Sequence, residues 1–295
     1  MIDLTAKLKE LKPEKKFFIG IDSDGCVFDT MEIKHKECFC PQFIKHFGLQ
    51  PVSKYAREVW EFVNLYSKTR GVNRFKAVVL ALDLLRQRQK VIARNVNIKC
   101  LDGVKDWIQK ETKLGNPALK QEVEKNNNND LMLILDWSLD VNHMIADFVK
   151  NVPPFPLVKE CLQKISAQAD ALVVSQTPCE TLQREWQEHN IKGYVRMIAG
   201  QELGTKTEHI ALAAKTKYAP ENMLMIGDSP GDHRAAKENN ALFFPIIPGK
   251  EEESWKILFD EALDRFFNAQ YQGEYEQNLY QEFNRNLPGE PFWND

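Results

Sequence analysis

Two acids one residue apart, Asp22 and Asp24, follow the run Phe17-Phe18-Ile19-Gly20-Ile21 and are themselves followed by Gly25. The run is apolar, short and sharply bounded, which is the pattern of a strand buried on both faces. Asp, Ser and Gly do not extend a strand, so both acids are expected just past the carboxyl edge of a sheet. Open α/β sheets bind their ligands along that edge, which makes it a reactive address. Taken alone, Asp-x-Asp-Gly is equally the composition of a turn. The balance shifts because polar groups recur after later strand patterns: Ser175 after Leu172-Val173-Val174, and Asp228 with Asp232 after Met223-Leu224-Met225-Ile226. Lys206 lies in a connection between them. In a parallel sheet all such strand ends share one edge, so groups far apart in sequence can converge.

The elements that carry these groups follow from hydrophobic periodicity. Residues 171–174, 194–198, 223–226 and 241–246 read as strands, separated by helical patterns through Val158 to Ile165, 180–189, 207–218 and 232–239. That alternation defines an α/β fold, a doubly wound parallel sheet whose first strand is 17–21. Between residues 31 and 152 only helical patterns occur, with Ser53, Asn73 and, before Pro117, Asn116 as caps and a further start at Asp102. Asn126 to Asn129 read as a loop before a long helix, and three prolines among residues 153–156 stop that helix. The chain therefore divides into a discontinuous sheet core, 1–30 with 153–295, and an inserted all-helical domain, 31–152. From Ser254 onward, aromatic residues at near-helical spacing are expected to dock on the sheet core, with a dimer contact as the alternative.

Composition narrows the function classes. A chain of 295 residues has room for about two domains, and 43% hydrophobic content marks it as folded and globular. A formal net charge of -3 supplies no general attraction to nucleic acid or to an anionic membrane, so a small anionic substrate needs a local positive site. The first sixteen residues carry Lys7, Lys9, Lys12, Lys15 and Lys16 without the apolar core of a secretory signal. No stretch approaches the ~20 apolar residues of a membrane span, and a cytoplasmic location is expected. Cys26, Cys38, Cys40, Cys100, Cys161 and Cys179 are scattered and are expected to be buried free thiols, since Cys38-Phe39-Cys40 has no second pair to complete a zinc site. His35, His46 and His143 have no partner at a diagnostic spacing.

Four of these pieces, in this order, resemble the motifs of the haloacid dehalogenase-like (HAD) superfamily, in its phosphatase branch. The first motif is Asp22-Ser23-Asp24-Gly25, the second Ser175, the third Lys206, and the fourth Gly227-Asp228-Ser229-Pro230-Gly231-Asp232. The resemblance implies a Rossmannoid core and assigns the helical insertion to the family's C1 type of cap, closing over the sheet edge. It implies that Asp22 is the nucleophile forming an aspartyl-phosphate, and Asp24 the general acid and base. Ser175, with the N–H of Gln176, and Lys206 are implied to hold the phosphate. Converging carboxylates repel by about 4 kcal/mol per pair at ~4 Å and an effective dielectric near 20, so a cation is required. Mg²⁺ suits an all-oxygen donor set. By the resemblance it is held by the Asp22 side chain, the Asp24 carbonyl and Asp228, with Asp232 ligating it, orienting its water or capping a helix.

This chain departs from the family pattern in having Cys26 where a threonine is common, and the loop Ala199 to Gly204 has no evident role. Arg70 and Arg74, in a basic loop between helices of the insertion, are candidates for binding a second anionic group, against a solvated loop as the alternative. The expectation is thus a Mg²⁺-dependent phosphatase acting on a small phosphorylated metabolite, as a monomer or homodimer without nucleic-acid or membrane partners. A phosphomutase of the same superfamily would use the same residues. A non-catalytic binding protein would have no need of the second acid, Asp24.

Overall fold

The structure is a computed structural model and describes residues 4–293, so the expected domain limits at residues 1 and 295 lie outside it. Its contacts divide the chain into two units: one comprises the chain up to Thr30 with Asn151–Leu287, the other Met31–Lys150 with the residues from Pro288. The boundary expected at residue 152 falls two residues earlier, and the final residues group with the helical unit instead of the sheet.

In the first unit, β1 (Phe17–Ile21), β2 (Ala169–Val174), β3 (Met197–Ala199), β4 (Met223–Gly227) and β5 (Leu242–Pro245) form one sheet in the order β3-β2-β1-β4-β5. Every pairing is parallel, and β1 lies between β2 and β4 with Ile21 opposite both Val173 and Ile226. The chain leaves β1 toward one side of the sheet and returns to its other side at β4. That reversal opens a crevice beyond the carboxyl ends of β1 and β4, the place where doubly wound sheets bind ligands.

Both faces of the sheet are covered, which is why its strands read as continuous apolar runs. Alternation along β1 sends Phe17, Ile19 and Ile21 to one core, shared with Val173, Ile226, Trp186, Trp255 and Phe266. Phe18 goes to the other, with Val174, Met225, Ile210, Ala235 and Phe283. The aromatic tail supplies both layers: the Trp255 indole donates to the Cys26 carbonyl at 2.8 Å, and the Tyr271 hydroxyl to the Phe243 carbonyl at 2.7 Å.

The helical unit has its own core around Phe39, Phe43, Trp60, Leu82 and Trp137. Asn73 caps the helix Arg74–Gln87 by accepting the Phe75 N–H at 3.1 Å, as its type and position lead one to expect. Three local expectations need correction. Ser53 is the first residue of its helix and makes no cap, and Asn116 instead accepts the Ser138 hydroxyl at 2.6 Å. The asparagine run is not merely loop, because Asn128 caps the helix Asn129–Phe148 by accepting the Asp130 N–H at 2.8 Å. All six cysteines are free, but Cys100 is exposed and Cys179 half-buried. Among the described residues no helix is long and apolar enough to cross a membrane.

Candidate active site

The first motif is placed by the end of β1. The Asp22 N–H still donates to the Ile226 carbonyl of β4 at 2.9 Å, so the acid leaves the sheet in register with its neighbour. The chain then turns tightly: the Ser23 carbonyl accepts the Val27 N–H at 2.9 Å, and the Ser23 hydroxyl accepts the Trp186 indole N–H at 3.0 Å. This fixed turn separates the two acids. Asp22 is buried, whereas Asp24 is half-buried and each of its oxygens accepts a threonine hydroxyl, Thr30 at Oδ1 and Thr177 at Oδ2 (2.6 Å).

The fourth motif arrives from β4. Asp228 follows the strand directly, and the helix Pro230–Glu238 opens with proline in its first turn, where the missing N–H costs nothing. This helix starts two residues before the expected Asp232. Asp232 is therefore not its N-cap: it sits in the first turn, and its Oδ2 accepts the N–H and hydroxyl of Ser229 at 3.0 and 2.7 Å. Its close approach depends on Gly227, where an added Cβ would lie 2.4 Å from the Asp232 Cβ. No positive φ is involved; the requirement is simply space.

Asp22, Asp228 and Asp232, all buried, converge so that one carboxylate oxygen from each lies within 4.8 Å of the others. Lys206 reaches into the cluster from the start of the helix Lys206–Ala213, its ammonium 2.6 Å from both Asp22 Oδ2 and Asp232 Oδ1. Burial raises the Asp22 pKa well above the usual carboxylate range, and Asp232 and Asp228 add to this while Lys206 opposes it. Burial would lower the Lys206 pKa, but the three carboxylates overcome this and raise it. Cys26, in the place of the family's threonine, lies beneath the cluster with its thiol toward the Ile226 carbonyl at 3.8 Å. Burial and the neighbouring carboxylates push that thiol up.

Ser175 ends β2 with its N–H on the Ala199 carbonyl at 2.9 Å, and its hydroxyl accepts the Thr177 N–H at 3.2 Å. The Gln176 side chain donates to the Gly204 carbonyl at 3.0 Å. The 199–204 loop thus acquires a role: it buttresses the exit from β2 and delivers Thr205, whose capping box with Glu208 starts the Lys206 helix. His209, one turn beyond Lys206 and fully buried, is pushed down to about 4 by burial and by the Lys206 charge.

The structure brings Asp22, Asp228, Asp232 and Lys206 into direct contact or near-contact, and gives the Asp24 carboxyl the hydroxyls of Thr30 and Thr177. Arg70 and Arg74 belong to the helical unit. The Arg70 guanidinium donates to the Leu65 carbonyl at 2.9 Å, and that of Arg74 to Asn142 Oδ1 at 2.7 Å and Ser138 Oγ at 3.1 Å. Sequence reasoning missed Thr30, Thr177, Trp186 and Ser229. Isolated hydroxyls and an indole carry no spacing signature, though Ser229 followed three residues later by an acid is the pattern of a capping box.

This edge of a parallel sheet gathers buried acids around one lysine. Residues 105–245 match the family of haloacid dehalogenase-like hydrolases, a span that takes in Ser175, Lys206, Asp228 and Asp232 and begins after Asp22 and Asp24. No curated protein matches the chain. Among solved structures, a Bacteroides fragilis protein named as a candidate haloacid dehalogenase-like hydrolase has 14% identity and a TM-score of 0.50, over 81% of this chain and 93% of its own. A haloacid dehalogenase-like family hydrolase from Streptococcus pneumoniae has 16% identity and a TM-score of 0.48, over 90% and 98%. A candidate beta-phosphoglucomutase from Bacteroides vulgatus has 15% identity and a TM-score of 0.47, over 91% and 100%. Over residues 105–245 the chain is thus similar to the haloacid dehalogenase-like hydrolases, and the Bacteroides fragilis structure shares its fold.

Proposed function

We propose that the protein is a Mg²⁺-dependent phosphatase of small phosphorylated metabolites, working in the cytoplasm through a covalent intermediate on Asp22. The observation that carries this reading is the convergence of Asp22, Asp228 and Asp232 within 4.8 Å at the carboxyl ends of β1 and β4, with Lys206 bridging two of them. Three buried carboxylates with one lysine among them leave negative charge unbalanced, and a hard divalent cation with oxygen ligands fits that set. Asp22, Asp228 and Asp232, with the Asp24 carbonyl, would hold Mg²⁺, which supplies charge neutralisation for the incoming phosphate.

In this scheme an Asp22 oxygen attacks phosphorus, the ester P–O bond breaks, and Asp24 gives its proton to the departing alkoxide. Asp24, now a carboxylate, takes a proton from water as the water oxygen attacks the phosphorus of the aspartyl-phosphate. Inorganic phosphate leaves and both acids return to their starting forms. Lys206 stabilises charge on the phosphoryl oxygens, and Ser175 with the Gln176 N–H offers donors to them. Arg70 and Arg74 are proposed as the specificity residues of the helical unit.

Hydrolysis of p-nitrophenyl phosphate tests the reading. Asp22→Asn should lower turnover by at least about a thousandfold with thermal unfolding still cooperative. EDTA should silence the parent and added Mg²⁺ restore it. Activity in Asp22→Asn equal to the parent's would remove the nucleophile assignment, and turnover undiminished in chelator would remove the metal. Release of free phosphate from a sugar phosphate separates hydrolysis from a mutase, which would return the phosphoryl group to the sugar.

A further inference from the structure

We propose that Thr177 is a positioning residue for the proton transfer made by Asp24, a role that rests on the phosphatase reading above. An aspartate has two free side-chain torsions, which must be fixed if its carboxyl is to be aimed. It is held by two hydroxyls, one on each oxygen: Thr30 at Oδ1, and Thr177 at Oδ2 at 2.6 Å. Two-point attachment fixes the plane of the carboxyl as well as its direction. A hydroxyl can donate or accept, so these two threonines can hold the carboxyl whether or not it carries the proton.

Thr177 is itself held on three sides. Its N–H donates to Ser175 Oγ at 3.2 Å, and its carbonyl accepts the Gln201 N–H at 3.1 Å. Gly200 lies so close that an added Cβ would stand 2.5 Å from that same carbonyl. A β-branched residue has few χ1 choices, so fixing this backbone aims the hydroxyl. The loop between β3 and Lys206 therefore reaches Asp24 through Thr177, coupling the second motif to the first.

The test uses the leaving group. A departing 4-nitrophenolate needs little help from an acid, whereas phenolate is much more basic and leaves with a proton. The value of kcat/KM, which covers the steps up to phosphorylation of Asp22, is measured for 4-nitrophenyl and phenyl phosphate. Parent, Thr177→Val, Thr177→Ser and Asp22→Asn are compared, each checked by thermal unfolding. Thr177→Val keeps the shape and removes the donor. It is expected to lose on the order of tenfold more activity toward phenyl phosphate than toward 4-nitrophenyl phosphate, a fraction of what general acid catalysis contributes. Thr177→Ser should restore most of that ratio.

A loss equal for both esters, or no loss, would overturn the proposal by leaving Thr177 as a loop residue only. Failure of serine to recover the ratio would do the same. An active Asp22→Asn would bring down the phosphatase reading and this proposal together. With Asp22→Asn inactive, a uniform loss in Thr177→Val removes this proposal alone.

Discussion

At the residue scale the site is governed by a shortage of positive charge. Lys206 touches two of the three clustered carboxylates, and His209 one turn away is kept neutral, so it adds no charge beside the lysine. The helical unit shows the opposite imbalance at Arg74. Burial draws its guanidinium down to about 10, and its hydrogen-bond acceptors, Asn142 and Ser138, are neutral, with the Phe39 ring 5.0 Å away. Arg70, proposed to act with it, donates to the Leu65 carbonyl of its own loop. If Arg74 binds a second anionic group, Arg74→Gln should raise KM for a phosphate ester bearing an extra carboxylate or phosphate. The rise should be about tenfold greater than for an ester without one, the worth of a hydrogen bond between charged groups. Steady-state KM values for the two esters check this, and an equal rise in both would count against it.

At the scale of elements, the sheet is pinned at the end opposite the acids by Asp170 in β2. Its Oδ2 accepts the N–H groups of Glu14 and Lys15 at 2.8 and 3.0 Å and the Tyr218 hydroxyl at 2.6 Å, and Oδ1 lies 3.1 Å from Arg196. Burial alone would raise its pKa, but the Tyr218 hydroxyl, the two N–H groups and Arg196 hold it below the usual value. A depressed carboxylate contributes stability that is present above its unfolded pKa of about 4 and is lost as pH falls through the lower folded value. Asp170→Asn should cost about 1–3 kcal/mol near neutrality. Urea unfolding at several pH values should show the gap between variant and parent narrowing below about pH 4; a gap independent of pH would contradict this account. None of these contacts was legible beforehand, because Asp170 pairs with residues of other elements, far from it in the chain. By contrast β1 was legible to the residue: five apolar or glycine positions end in two acids. β3 was not, since part of the expected 194–198 strand is taken by the turn at Lys192–Tyr194. The four motif positions were legible because each follows a strand or starts a helix. Thr177 was not, because its importance lies in an oxygen brought to it by another strand.

At the scale of the whole molecule, an inserted domain needs two chain crossings, and this chain has a third at residues 287 and 288. Periodicity does not announce it, since the tail reads as one aromatic-rich stretch while its partners divide at Leu287. Up to Leu287 they serve the sheet cores; beyond it, Trp293 joins the helical unit. There the Arg88 guanidinium lies 4.5 Å from the Trp293 ring and 4.7 Å from that of Tyr55, and Phe62 meets Trp293 edge-on at 5.4 Å. Arg88 is buried and also paired with Glu58 at 2.7 Å, so the tryptophan covers a charge that water would otherwise reach. One cation–π contact and one aromatic pair together are worth about 1–2 kcal/mol. Trp293→Ala should therefore speed amide exchange in the helices Ser53–Asn64 and Arg74–Gln87 by roughly 5- to 30-fold where exchange follows opening of this unit. Exchange in β1 and β4 should be unaltered. Phe292→Ala, whose ring is 73% exposed and meets the Trp293 ring edge-on at 5.2 Å, should change exchange far less. Similar exchange in the two variants would mean that the segment after Leu287 is not bound through Trp293, and that the third crossing carries no stabilising contact.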